Sequence, residues 1–211
     1  MADTETKQGR SDGRRAQAKA ANREAILEAA RSVFLRMGVE AATVRDIIRE
    51  TDLAAGTFYN YFKSKEEVVK ALAELSTARF RPFLAEVRAS ANDLESYIRA
   101  AYRAYFTFLL EESAQGASHL PLKGMRNDTP EMDAVVTEVR NALETYFGEA
   151  GSSGIDTEYM TAAAVGIALE VGDLMLRRTP VDVNGATCFA SELFLNGVAG
   201  TSHCLRPDVT T

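Results

Sequence analysis

A chain of 211 residues, 46% hydrophobic and 26% charged, has the balance of a globular protein with a sizeable core in one large domain or two small ones. The net charge of −6 is unevenly spread: residues 1–70 hold 13 Lys/Arg against 11 Asp/Glu (+2), residues 71–211 hold 11 against 19 (−8), so a polyanion is expected at the N-terminal part, although asymmetry of this size also arises by chance. Cys188 and Cys204 are too few for a metal set or disulfide framework, no apolar run approaches the roughly 20 residues that cross a bilayer, and the polar N-terminus lacks a signal peptide's apolar stretch; no metal, no cofactor, no membrane partner and a cytoplasmic location are expected.

Residues 1–19 carry Gly9, Gly13, Arg10, Arg14, Arg15 and Lys19 with nothing apolar to anchor them. They read as a flexible basic arm that either touches phosphates or is a solvated tail. From Asn22 onwards Ile26, Leu27, Ala30, Val33, Phe34 and Met37 follow three-and-four spacing, which predicts a first helix ending in a left-handed cap at Gly38. Thr43 offers an N-cap oxygen with Asp46 three residues on, and Ile47 and Ile48 give a second short helix its inward face. Glu50-Thr51-Asp52 interrupts that helix, with Asp52 suited to left-handed backbone in a sharp turn.

In the third helix Phe58 and Phe62 share a face, assigned to a small core against Phe34 and Ile47, while Thr57, Asn60 and Tyr61 share another. The second face is uncharged and hydrogen-bonding, and a core has no obvious use for it. Ser64 with Glu67 spells a capping box, so a fourth helix runs from there through Val68, Val69, Leu72 and Leu75 to Pro82, which kinks or ends it. The remainder is helical: Asp93 to about Glu112; Pro130 through Phe147, opened by Thr129; a long helix capped by Asp156 and running through Arg178; and a last one from about Asn184 to Val198. No segment has strand periodicity and no repeat is visible. The fold class is all-α.

Thr43-Val-Arg-Asp-Ile47, Gly56-Thr-Phe-Tyr-Asn-Tyr-Phe62 and Lys63-Ser-Lys65 resemble the DNA-binding domain of TetR-type (TetR/AcrR-like) transcriptional regulators over roughly residues 20–80. The resemblance implies an N-terminal three-helix helix-turn-helix domain at 20–80 and a helical effector-binding and dimerisation domain at 81–211, about nine helices in all. It implies Thr43 and Arg45 near phosphate and base edges, Ala55, Gly56, Thr57, Tyr59, Asn60 and Tyr61 on the recognition helix, and Lys65 on a phosphate. Arg45 can pair with guanine and Asn60 with adenine, Tyr59 and Tyr61 can reach phosphates, and Ala55 and Gly56 let backbone approach the duplex. Outside this register the two tyrosines would more often be packing residues and Arg45 a solvated charge. The chain departs from the family pattern at Asp52, where Gly is common, and at Ala54, where Ser is common. The recognition helix is then either capped by Asp52 or starts slightly later. Ala55 replaces a longer polar side chain, so operator contacts are expected to be fewer.

The resemblance further implies double-stranded operator DNA as a partner, a homodimer through the last two helices, and a small apolar or amphipathic effector. Small residues at 162–168 with Leu169, Leu174 and Leu176, and Phe189, Leu193, Phe194 and Val198, supply candidate dimer faces; the alternative is burial within one subunit. Candidate pocket residues are Tyr102, Phe106, Leu110, Met125, Val139, Met160 and Ile167, with His119, Arg126, Glu170 and Asp173 for polar orientation; helical aromatic stripes are more often core. Glu170 and Asp173 would favour a cationic ligand on a buried helix and only solubilise an exposed one. The function expected is a repressor released from its operator by an effector, with an effector-independent DNA-binding or structural dimer as the alternative. An enzyme fares poorly: His119 and His203 are the only histidines, and no HExxH, GxSxG or phosphate-cradling glycine loop occurs.

Overall fold

The computed structural model describes residues 3–114, 129–149 and 156–200. Among them are eight helices and no strand: α1 (Asp3–Met37), α2 (Val44–Arg49), α3 (Ala55–Tyr59), α4 (Lys65–Ser90), α5 (Leu94–Ala114), α6 (Pro130–Glu149), α7 (Thr157–Arg177) and α8 (Val183–Gly200). The chain forms two compact units that divide between Leu72 and Ala73, earlier than the boundary at residue 80 expected from sequence.

In the first unit, α1 does not begin at Asn22. It runs through the segment expected to be a flexible arm. Arg14-Arg-Ala-Gln-Ala-Lys-Ala-Ala21 is a run of strong helix formers, and once the packed part of α1 is nucleated each added residue costs little. Residues 13–21 are exposed, so this extension rests on propensity rather than burial. Ile26, Leu27, Ala30, Val33 and Phe34 lie buried further along, and Gly38 ends the helix with φ +80° while its N–H bonds the Phe34 carbonyl at 2.9 Å. Only glycine takes that backbone without cost.

The start of α2 is a complete capping box: Asp46 N–H donates to Thr43 Oγ1 (3.3 Å) and Thr43 N–H to Asp46 Oδ2 (3.0 Å). The Thr43 hydroxyl also donates to Asp46 Oδ2, and these hydrogen bonds, with smaller help from Arg49 and Arg36, hold the carboxyl below the usual aspartate range. Arg36 pairs with Glu50 at 2.9 Å across the end of α2. Among the described residues none other than glycine has positive φ, so Asp52 does not take the left-handed turn conformation expected of it. Instead the Thr51 hydroxyl donates to the Ile48 carbonyl (2.9 Å) and accepts from Leu53 N–H (3.2 Å), turning the chain by side-chain bonding.

In the second unit, α5 is central and packs on α6, α7 and α8. Its buried residues include Tyr97, Ile98, Tyr102, Phe106 and Leu109, which join Leu143, Phe147, Met160, Met175 and Phe194 in one core. The start of α5 is capped by Asp93, which accepts from Ser96 N–H at 2.7 Å; α7 is capped by Asp156, which accepts from Glu158 N–H at 2.9 Å. Gly172 lets α7 approach α5: a Cβ there would meet Leu109 Cδ1 at 2.6 Å and Tyr105 Cε1 at 3.3 Å. Pro82 neither ends α4 nor is buried in it; the helix continues to Ser90.

By length and composition α7 is long and apolar enough to cross a membrane, contrary to the expectation that no run approached that size. Met160, Thr161, Ala164, Gly172 and Met175 are buried on one side, which accounts for part of that apolarity.

Two predictions follow from these contacts. Glu112 is 2% exposed and its carboxylate meets Arg79 Nη1 at 2.6 Å. Arg79→Met leaves that acid unpaired and is expected to destabilise the protein by about 1–3 kcal/mol in urea unfolding, the cost of an uncompensated buried polar group; an unchanged midpoint would show that the pair contributes nothing. Because the Asp46 carboxyl is depressed in the folded protein, its contribution to stability is present above the ordinary aspartate range and is lost as pH falls through the folded value. Thr43→Ala removes the largest cause and should move the Asp46 titration up toward the ordinary range in carboxyl-detected NMR and weaken that acid dependence, the backbone N–H of residue 43 still donating to the carboxylate.

Candidate nucleic-acid interface and effector cavity

The five-residue α3 has no side-chain cap: Ala54 stands at its N-cap position, and Asp52 does not replace the missing hydroxyl. The first turn is closed by backbone alone, Thr57 N–H donating to the Ala54 carbonyl at 2.8 Å. Asn60 is the C-cap and Tyr61 follows it, so both lie just beyond the helix on which they were expected. Tyr61 N–H and Phe62 N–H both bond the Phe58 carbonyl, which keeps the chain helically wound past the last formal turn.

Phe58 and Phe62 are buried, with Phe34 and Ile47 also buried in the same unit. The Arg23 guanidinium lies 5.4 Å from the Phe62 ring centre, a cation over an aromatic face. Ala55, Gly56 and Asn60 are exposed, Tyr59 is 58% exposed, and Thr57 and Tyr61 are half-buried. The space beside Gly56 is open. On α2, Thr43 and Arg45 are exposed. This surface is neutral, short-armed and hydrogen-bonding, with a cation on the preceding helix, which suits base edges and phosphates approached closely by backbone.

Lys65 is not free to take a phosphate in this structure. Its ammonium donates to the carbonyls of Val39 (2.8 Å), Ala42 (3.0 Å) and Glu40 (3.4 Å), and an ammonium has only three protons to give. The residue ties the first turn of α4 to the loop that joins α1 to α2. Nearby, Glu67 N–H donates to Ser64 Oγ (3.4 Å), but the Glu67 carboxylate accepts from Lys63 N–H (2.7 Å) rather than from Ser64, a displaced form of the expected capping box.

In the second unit a cavity of about 100 Å³ is bounded by α4, α5, α6 and α7. Of the pocket residues named from sequence, Tyr102 and Val139 line it. Phe106 and Met160 are buried in the main core, Ile167 packs against that core, and Leu110 and Glu170 are exposed. Asp173 pairs with Arg177 at 2.7 Å. His119, Met125 and Arg126 lie outside the described residues. The lining that sequence reasoning missed includes Phe80, Tyr97, Tyr105, Phe108 and Leu169. Tyr105 adjoins Phe106 in sequence, and helical spacing alone could not tell which of them meets a gap.

Burial pushes the phenols of Tyr97, Tyr102 and Tyr105 well above the ordinary tyrosine range, with Glu138 adding to the effect at Tyr97 and Asp173 at Tyr105. The Tyr102 hydroxyl donates to the Ala164 carbonyl at 3.2 Å; those of Tyr97 and Tyr105 are buried without a hydrogen-bond partner among the described residues.

The outer faces of the last two helices are apolar. On α7 Tyr159 is 78% exposed, and Ala162, Ala163 and Leu174 are also exposed; on α8 Phe189 is 60% exposed and Leu193 follows one turn later. Leu169, Leu176 and Phe194, expected on the same stripes, instead face the cavity or the core of their own unit. The Val198 side chain is outside the described residues.

A family profile described as "Bacterial regulatory proteins, tetR family" matches residues 26–72. The HTH-type transcriptional repressor KstR2 of Mycolicibacterium smegmatis is 28% identical over 119 residues, 56% of this chain and 58% of that protein. The chain spans between about a quarter and three fifths of the length of the curated relatives it matches. Two solved structures share the fold: the transcriptional regulator FadR from Bacillus subtilis in complex with stearoyl-CoA (TM-score 0.68, 17% identity, 82% of this chain and 98% of that one), and RolR in complex with resorcinol (TM-score 0.64, 21% identity, 89% and 94%). The matched segment covers the end of α1, all of α2 and α3 and the first turns of α4, and so includes the surface on α2 and α3 described above. Residues 26–72 of this chain thus form a TetR-type helix-turn-helix segment.

Proposed function

We propose that the protein is a cytoplasmic, homodimeric repressor whose heads grip double-stranded operator DNA and whose body answers to a small molecule. The observation that carries the DNA reading is the exposed, uncharged surface of α3 and its following turn, in the segment matched to the family, with the exposed Arg45 on α2. Arg45 contacts a guanine edge, Asn60 an adenine edge, and Thr43 and Tyr59 phosphates, while Ala55 and Gly56 admit close backbone approach. Thr57 and Tyr61, half-buried, contribute from the margin of the surface. Lys65 acts through the loop it holds and sets the position of α3 instead of contacting a phosphate.

The apolar outer faces of α7 and α8 support dimerisation through these helices, because large exposed side chains at helical spacing need a partner surface. The dimer presents two heads to half-sites about 34–36 Å apart or a multiple of it. The cavity, together with the stearoyl-CoA and resorcinol complexes of FadR and RolR, supports effector binding in the body. The effector shifts the population away from the DNA-competent arrangement.

The test is fluorescence anisotropy with duplex DNA from upstream of the protein's own gene, titrated at several salt concentrations. Arg45→Ala is expected to weaken specific binding by about 1–3 kcal/mol and to relax the base preference at one position of each half-site; unchanged affinity would remove Arg45 from the interface. Lys65→Ala is expected to lower the melting temperature and the affinity together while leaving the salt slope as in the wild type. A phosphate ligand behaves oppositely, reducing the slope by about 1 with the fold intact.

A further inference from the structure

We infer that the N-terminal extension of α1 is a second nucleic-acid contact, in which Arg15 and Lys19 bind phosphates of the same duplex that the α3 surface reads. The inference rests on the DNA reading of the head and adds to it an element that base recognition does not require.

Register places the two side chains. Arg15, Lys19, Arg23, Ile26, Ala30 and Val33 follow one another by three or four residues, so they share one side of α1. Ile26, Ala30 and Val33 are fully buried, Arg23 is half-buried, and Arg15 and Lys19 are exposed. The side that α1 turns to the core of its unit thus continues as cations where that core ends. Arg23 marks the place: its guanidinium lies 5.4 Å from the ring centre of Phe62, the residue that follows Asn60 and Tyr61. Lys19 and Arg15 stand about 6 and 12 Å further along the axis, at about 1.5 Å per residue. The stripe therefore starts beside the end of the reading segment and runs outward from it.

Charge identifies the occupant. Residues 13–23 contain Arg14, Arg15, Lys19 and Arg23 and no acid. Glu24 and Glu28, the acids of α1 beyond Gly13, fall on the opposite side at about 3.6 residues per turn. Arg15 and Lys19 have no hydrogen-bond or ion-pair partner among the described residues. A helix that faces only solvent gains by interleaving the two signs, whereas a stripe of one sign suits a polyanion.

The rest of the head is short of free cations. A duplex carries one phosphate charge per about 1.7 Å of axis, and neutralising them supplies non-specific affinity and a large share of specific affinity. Arg31, Arg36 and Arg49 are paired with Glu28, Glu50 and Asp46, and the Lys65 ammonium is held by carbonyls of the α1–α2 loop. Arg45, Lys63 and Lys70 remain as the cations of residues 24–72 without such a partner among the described residues. Arg15 and Lys19 add to them from a stretch that contributes nothing to the core.

The experiment measures fluorescence anisotropy of the full chain on two duplexes, one from upstream of its own gene and one of random sequence and equal length, across salt concentrations. Arg15→Gln/Lys19→Gln removes both charges and keeps helix propensity. The expected result is a salt slope smaller by about 2 per bound protomer and an affinity lower by roughly tenfold or more at ~0.1 M salt, equally on both duplexes. Base preference, far-ultraviolet circular dichroism and melting temperature should match the wild type; if the double variant loses helix, each single variant carries the same comparison with a slope change of about 1. Arg14→Gln, on the same stretch but off the stripe, should leave the slope unchanged. A double variant with the wild-type slope overturns the inference. So does an Arg14→Gln variant that loses as much slope per charge, since net charge alone would then act, or a loss confined to the upstream duplex, since the residues would then serve base recognition. If the double variant binds as the wild type does while Arg45→Ala loses specific affinity, the inference fails and the DNA reading stands; a wild type that binds neither duplex ends both.

Discussion

A five-residue helix with no side-chain cap has no stability of its own, so what the head presents depends on what holds α3 in place. Two attachments do this. The rings of Phe58 and Phe62 are buried, fixing which side of the segment faces inward and leaving Tyr59 and Asn60 outside. The Lys65 ammonium, just beyond that segment, ties the start of α4 back to the carbonyls of Val39, Glu40 and Ala42. Three carbonyl dipoles supply the negative potential that a cation at a helix N-terminus otherwise lacks. The missing N-cap at Ala54 is thus offset by tertiary contacts rather than by another local hydrogen bond.

The same contrast between local weakness and tertiary support runs through the second unit. Gly172 costs α7 helix propensity, yet its absent side chain is what lets α7 approach α5 beside Tyr105 and Leu109. Packing there is close, while a short distance away aromatic side chains leave a cavity. A core built only for stability would fill that space, because a cavity forfeits contacts its lining would otherwise make. The apolar character of α7 has two causes: one side is core, and the other carries the exposed stripe of Tyr159, Ala162, Ala163 and Leu174.

Much of the head was legible because its signals are local. Thr43 with Asp46 states a helix start in two side chains, Gly38 states a helix end in one, and the spacing of Phe58 and Phe62 states a buried side. The extension of α1 through residues 13–21 was missed because an exposed helical stretch has no apolar periodicity to reveal it. The turn at Asp52 was misread because hydrogen bonds from Thr51 did the work assigned to left-handed backbone. In the body, periodicity placed Tyr102 and Val139 on inward faces but gave Phe106 and Met160 the same standing, although only the first two meet the cavity.

The sequence by itself determined the all-helical class, most helix boundaries and caps, and the register of the helix-turn-helix, since these depend on backbone propensity, side-chain caps and spacing along one element. Tertiary structure alone decided what Lys65 touches, because its acceptors are backbone carbonyls more than twenty residues away, identical in chemistry to every other carbonyl in the chain. It also decided which tyrosines keep a free hydroxyl. A phenol's partner depends on the helix packed opposite it: Tyr102 meets the Ala164 carbonyl, and Tyr97 and Tyr105 have no hydrogen-bond partner among the described residues.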